Sequence, residues 1–276
     1  MARLRCALLP ALVTLLMASA ARAERFQYKL RPEQTLRNRI SVAAASLSTR
    51  GEAEPVKMQF RTQVLQTQRV RASGNGQVTV HVSELTQSGQ MTLMGRTQSL
   101  RERRPETYVV RMTDRGKFLS RTTAGEGASM PGLEAMDALF GLAFPDQDLK
   151  PGDTWQENVQ VRSDLGPRVV RLTGKYVGRE TFRGRQCARF QLSLTMPIAL
   201  GPKGDADTTG LAPEGQVTAA VTCLFDPAAG HEVYSSGTAT VLTRLDLSSL
   251  GPDAGEMANV FRLNFVQSLQ EGGARK

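Results

Sequence analysis

Apolar residues recur at every second position through most of this chain, and that period is the strongest constraint on its fold. Phe26, Tyr28 and Leu30 alternate with polar residues, Leu36, Ile40, Val42 and Ala44 continue the pattern, and Val56, Met58 and Phe60 repeat it. Successive side chains of a strand point to opposite faces, so this alternation predicts half-buried antiparallel strands. Turn residues punctuate it. Ser73-Gly74-Asn75-Gly76 precedes Val78, Val80 and Val82, and Asp114-Arg115-Gly116 lies between Met112 and Phe118. Both read as hairpins. The stretch Met91 to Arg104 reads as a further, more polar strand.

One segment breaks the rhythm. Between Pro131 and Phe144, Leu133, Met136, Leu139, Phe140 and Ala143 fall at helical spacing, which predicts a short amphipathic helix over 131–144. Pro131 suits a first turn and Pro145 a stop. Strands then resume with Trp155, Val159 and Val161, the stretch Val169 to Val177, and Cys187 to Ile198. Gly201 to Gly215 reads as a loop rich in glycine and proline. Gln216 to Phe225 and Glu232 to Leu245 pair around Asp226-Pro227-Ala228-Ala229-Gly230, and Phe261, Leu263 and Phe265 mark a last strand.

The predicted fold is therefore mainly β: a large curved antiparallel sheet, half-barrel-like, packed against one short amphipathic helix. Strand sets at about 24–123 and 154–268 flank that helix in a single β-rich domain over 24–270, with a frayed tail at 271–276. Two lobes, one sheet per set, are the alternative.

The beginning of the chain bears on its compartment. Arg3 and Arg5 precede an apolar run from Cys6 to Ala20, and Ala21-Arg22-Ala23 stands before Glu24. That order predicts a cleaved secretory leader over 1–23 and a periplasmic or secreted product. The alternative, a membrane anchor, needs about 20 apolar residues. Beyond it no segment is long and apolar enough to span a bilayer. The formal charge of +9 includes Arg3, Arg5 and Arg22, so residues 24–276 carry 9 − 3 = +6. Basic residues are scattered and aromatics make up 5% of the chain, too few for base-stacking platforms, so nucleic acid is not an expected partner. Cys187 and Cys223 lie beyond the leader. In an oxidising compartment they are expected to form a disulfide, with two buried free thiols as the alternative.

No catalytic constellation assembles. His81 and His231 lack metal-ligand spacing and read as solvated, and no nucleophile elbow or phosphate loop occurs. Asp146, Asp148 and Asp153 surround Pro151-Gly152, and Asp205 and Asp207 share a glycine-rich loop. They read as turn formers, since the full calcium-loop spacing is missing. Within Phe144 to Trp155, Pro151-Gly152 sets a tight turn, Asp153 bonds nearby backbone and Trp155 is a large buried anchor. Gly152 and Trp155 are thus structural anchors. Neither a cofactor nor a metal is expected.

The segment Leu149-Lys150-Pro151-Gly152-Asp153-Thr154-Trp155, the opening Tyr28 to Gln34 and the turn Phe225 to Gly230 resemble a poorly characterised group of exported bacterial β proteins with a central L-x-P-G-D-x-W. Glu33 stands where that group has glycine. In architecture the layout resembles the LolA/LppX-like periplasmic carriers, which curl one antiparallel sheet into a half-barrel with helix across its concave side. That likeness implies a non-enzymatic protein binding a hydrophobic or lipid-like ligand, lipid or a lipidated partner, with Leu133, Met136, Leu139 and Phe140 lining or covering the cavity. The alternative is an envelope scaffold acting on envelope proteins or anionic glycan.

Overall fold

The computed structural model describes residues 23–51, 53–100, 105–123, 142–163, 166–199, 214–247 and 255–270. Among these residues twelve strands form one antiparallel sheet. They are β1 (Thr35–Arg50), β2 (Val56–Gly74), β3 (Gln77–Leu93), β4 (Arg96–Leu100), β5 (Glu106–Thr113), β6 (Phe118–Thr123), β7 (Thr154–Ser163), β8 (Gly166–Phe182), β9 (Arg185–Ala199), β10 (Glu214–Asp226), β11 (His231–Asp246) and β12 (Glu256–Leu269). The order is β6-β5-β3-β2-β1-β12-β11-β10-β9-β8-β7, with β4 beside β3. The pairing of β1 with β12 makes the two expected strand sets one sheet.

The sheet curls until its ends nearly meet. Val80 of β3 and Val110 of β5 share one apolar cluster with Trp155 and Val159 of β7. Lys117, just before β6, reaches Glu157 of β7 at 2.6 Å. The result is a nearly closed barrel whose interior face follows the alternation. One row around the wall reads Met91, Phe60, Ala44, Leu263, Ala239, Ala219, Leu194 and Leu172, each opposite the next. A parallel row reads Gly89, Thr62, Val42, Phe265, Gly237, Val221, Leu192, Gly174 and Trp155. Small residues beside large ones let the rows fill a curved interior. Phe265 lies against Gly237, and Trp155 lies against Gly174.

Several expectations need correction. Phe26, Tyr28 and Leu30 do not form a strand. They lie in an extended segment across one end of the barrel, where the Tyr28 N–H donates to Asp114 O (2.7 Å) and the Lys29 N–H to Gly230 O (3.0 Å). Met91 to Arg104 is not one strand either: β3 ends at Leu93, Met94-Gly95 turns, and β4 follows.

No helix occurs among the described residues. Leu133, Met136, Leu139 and Phe140 lie outside them, as do Gly201 to Pro213, including Asp205 and Asp207, and residues 1–22 and 271–276. The last three residues of the expected helix are described, and they are irregular. Their backbone groups are committed elsewhere. The Leu142 N–H donates to the Tyr28 hydroxyl, the Phe144 N–H to Arg115 O, and the Trp155 indole N–H donates to Ala143 O.

The disulfide is absent. Cys187 and Cys223 are both free and buried. Cys223 stands opposite Phe190, whose side chain faces the interior, whereas Cys187 is an odd number of residues from Phe190 and therefore faces outward. Cys223 belongs to the interior cluster, and Cys187 packs outside with Leu224 and Val233.

Candidate ligand-binding interior

One end of the barrel is sealed. Phe26 stacks on Phe144 at 5.5 Å between ring centroids and meets Tyr176 and Phe190 edge-on at 5.1 and 5.0 Å. Such aromatic contacts favour offset and edge-to-face geometry. The buried Arg115 guanidinium donates to Phe26 O and Pro145 O, tying the N-terminal segment to the chain after 142. Glu24 accepts from the Tyr176 hydroxyl (2.9 Å) and pairs with Arg179. Pro151-Gly152 makes its turn with Gly152 at φ 97°, the Asp153 carboxylate accepts the Lys150 N–H (2.8 Å), and Trp155 packs on Phe190.

Within this seal lies a cluster that the sequence did not reveal. Glu232 Oε1 accepts the Tyr28 hydroxyl (2.7 Å) and the Leu142 N–H (3.0 Å). Burial raises the Glu232 carboxyl above its ordinary value, although Tyr28, Leu142 and the Cys223 thiol pull it down. Burial, then Glu232, push Tyr28 and Cys223 well up, so both stay protonated. A thiol held neutral is a poor nucleophile. The cluster is a polar clasp between the N-terminal segment, residue 142 and β11. A bulge between Leu224 and Phe225 places Glu232 opposite Phe225, on the inner face. His231, expected in solvent, is buried with its Nδ1 3.0 Å from Glu232 O, while His81 is exposed. Among the described residues no group of three or more His, Cys, Asp and Glu side chains converges as metal ligands do.

Beyond the seal a polar belt crosses β1, β2, β3 and β5. Asn38 donates to Gln66 (3.2 Å), Gln66 to Glu84 (2.9 Å) and the Tyr108 hydroxyl to Glu84 (2.6 Å). Toward the other end the two sides of the interior differ. On β8 to β11 the inner face is buried as far as Met196 and Val217. On β12, β1, β2 and β3 it is apolar but only half-buried, at Phe261, Leu263, Phe265, Val42, Phe60 and Met91. Phe261, Leu263 and Phe265 pack against the core with one flank. This half-exposed apolar wall, with a polar belt at its base, is the candidate site. Sequence alternation found each of its strands. Its assembly was illegible because β1 and β12 are neighbours only in space.

No protein-family model matches the chain, and no curated protein matches it. Among solved structures the chain is similar to the crystal structure of the hypothetical lipoprotein YmcC from Escherichia coli (K12), at 14% sequence identity over 83% of this chain and 84% of that one, with a TM-score of 0.25. A likeness of that size carries no argument about function.

On the outer side, an open concavity of about 640 Å³ crosses β3, β2, β1 and β12, with Ser41, Arg61 and Asn264 in its lining. A second, of about 320 Å³, adjoins Leu47, Lys57 and Arg262. Ser41, Arg61 and Asn264 have the parity opposite to Val42 and Phe265, which also line the first concavity.

Proposed function

We propose that this protein is an exported, non-enzymatic binder of a hydrophobic or lipid-like ligand. The observation that carries this reading is the half-buried apolar wall formed by β12, β1, β2 and β3 inside an otherwise tightly packed barrel. Apolar surface left accessible in a concave interior favours an apolar occupant, and burying it gains roughly 25 cal/mol per Å². Hydrocarbon lies along Phe60, Leu263 and Phe265. The belt of Gln66 and Glu84 offers oxygens to a hydroxyl or amine end. The leader pattern over 1–23 supports export, with lipid or a lipidated partner as the source of the ligand.

Titration of purified, delipidated protein with a fluorescent polyene fatty acid tests the reading. Saturable binding is expected, with affinity at least about tenfold lower in Val42→Trp, whose indole occupies the wall. Absence of saturable binding, or equal binding by a folded Val42→Trp variant, overturns it.

A further inference from the structure

Among the described residues, the end of the barrel opposite the seal carries many exposed apolar side chains. Ten large hydrophobic side chains are exposed among the described residues, and seven belong to this end: Leu47, Val56, Leu93, Met94, Val169, Leu242 and Met257. Register sets them along one rim, with Val56, Leu93 and Met257 on the inner parity and Leu47 and Leu242 on the outer. Leu93 pairs with Met58 two residues from Val56, Leu47 pairs with Lys57 and Val260, Met257 pairs with Arg50, and Leu242 pairs with Val260. The sealed end, by contrast, is finished with Asn75-Gly76, Arg183-Gly184 and Asp226 to Gly230.

Met94 is the sharpest feature of the group. It sits at the tip of the β3–β4 hairpin, 73% exposed, with φ 47°, followed by Gly95 at φ 79°. Positive φ at both central residues is the type I′ turn, a place where asparagine and glycine are favoured and a long apolar side chain is strained. An apolar residue here contributes nothing to the turn and nothing to the core. Arg50, Lys57 and Arg96 stand among the apolar residues, exposed and without an ion pair to any described residue. Glu54, Glu214 and Asp246 lie in the same end, and Glu256 faces Arg244 at 3.7 Å.

We infer that this end of the barrel docks on a phospholipid bilayer, with Met94 and Leu93 inserted below the phosphates and Arg50, Lys57 and Arg96 at phosphate level. Apolar tips ringed by long cationic side chains match the layering of an interface, hydrocarbon beneath and anionic oxygens above. Glu54, Glu214, Asp246 and Glu256 offset the positive charge, so attachment is chiefly apolar and persists at high salt. Docking rests on this end alone. Passage of ligand from that bilayer to the adjoining interior wall rests on the function proposed above.

Co-sedimentation with vesicles of phosphatidylethanolamine and phosphatidylglycerol tests the docking. The wild type is expected to sediment with vesicles at low and high salt. Met94→Asn restores the favoured turn sequence, so it folds at least as well, and it is expected to lower partitioning about tenfold. Val177→Ser removes an exposed apolar residue outside this group and is expected to change nothing. Wild type that stays in the supernatant, or Met94→Asn that partitions equally, overturns the inference. So does a Met94-dependent dimer in analytical ultracentrifugation without vesicle binding, which assigns the surface to a second copy. Fatty-acid titration of Met94→Asn without vesicles separates the two ideas: docking fails while ligand binding remains, or the reverse.

Discussion

Gly174 and Trp155 share one volume on the inner face, because they are paired residues of β8 and β7. A Cβ at Gly174 overlaps the indole ring. Gly174→Ala must therefore displace Trp155 from Phe190 and from its bond to Ala143 O, at a cost of about 2–3 kcal/mol, checked by urea unfolding. Glu232 poses a different problem. Its folded carboxyl titrates above the ordinary glutamate value because burial disfavours the ion. The folded state then holds more protons than the unfolded one between the two values, so stability is greatest below the ordinary value and declines as pH rises through the raised one. Glu232→Gln keeps an oxygen for Tyr28 and Leu142 but cannot ionise. Thermal melts from about pH 4 to 8 should show a falling contribution in the wild type and its loss in the variant. Asp226 has the opposite sign. Burial alone would raise it, but the Ala229 N–H, Arg185 and the Ala228 N–H outweigh that, so its stabilisation is lost on acidification.

At the scale of elements, period and register have to be kept apart. Alternation located β2, β9, β10 and β11 because each buries one face, and Asn75-Gly76 marked its hairpin through positive φ at both residues. Period alone cannot say where backbone hydrogen bonds go. Phe26 and Tyr28 alternate as a strand does, yet their segment bonds to turns at Asp114 and Gly230. Nor can it show a bulge. The expected disulfide depended on two alternating segments sharing a face, and only the pairing of Cys223 with Phe190 reveals opposite parity. The candidate wall escaped notice for the same reason, since the β1–β12 partnership joins residues over two hundred positions apart. The N-terminal segment is itself open to test. Arg115 is the donor to Phe26 O and Pro145 O, so Arg115→Met leaves two carbonyls unserved and should cost about 2–4 kcal/mol. Faster tryptic cleavage after Arg25 and Lys29, compared with wild type, would check that the segment has come loose.

For the whole molecule, the weak line is the meeting of the two sheet ends. Every other neighbouring pair of strands on the path is held by a ladder of paired residues, whereas β6 and β7 face each other without one among the described residues. The contacts that span the ends are side chains in the shared core and the ion pair of Lys117 with Glu157. A partly exposed pair adds about 0.2–1 kcal/mol to global stability, too little to unfold the barrel when lost. Its effect should be local. Lys117→Glu sets two carboxylates against each other where the ends meet, and the amides of β6 and β7 should exchange with deuterium faster while those of β1, β2 and β12 keep their protection. Adding Glu157→Lys restores attraction with reversed sign and should return the exchange pattern toward wild type. Uniform acceleration across all strands would mean that the barrel opens only by unfolding as a unit. Acceleration confined to the seam would make it a hinge, through which the interior can widen without loss of the β12–β1–β2–β3 wall.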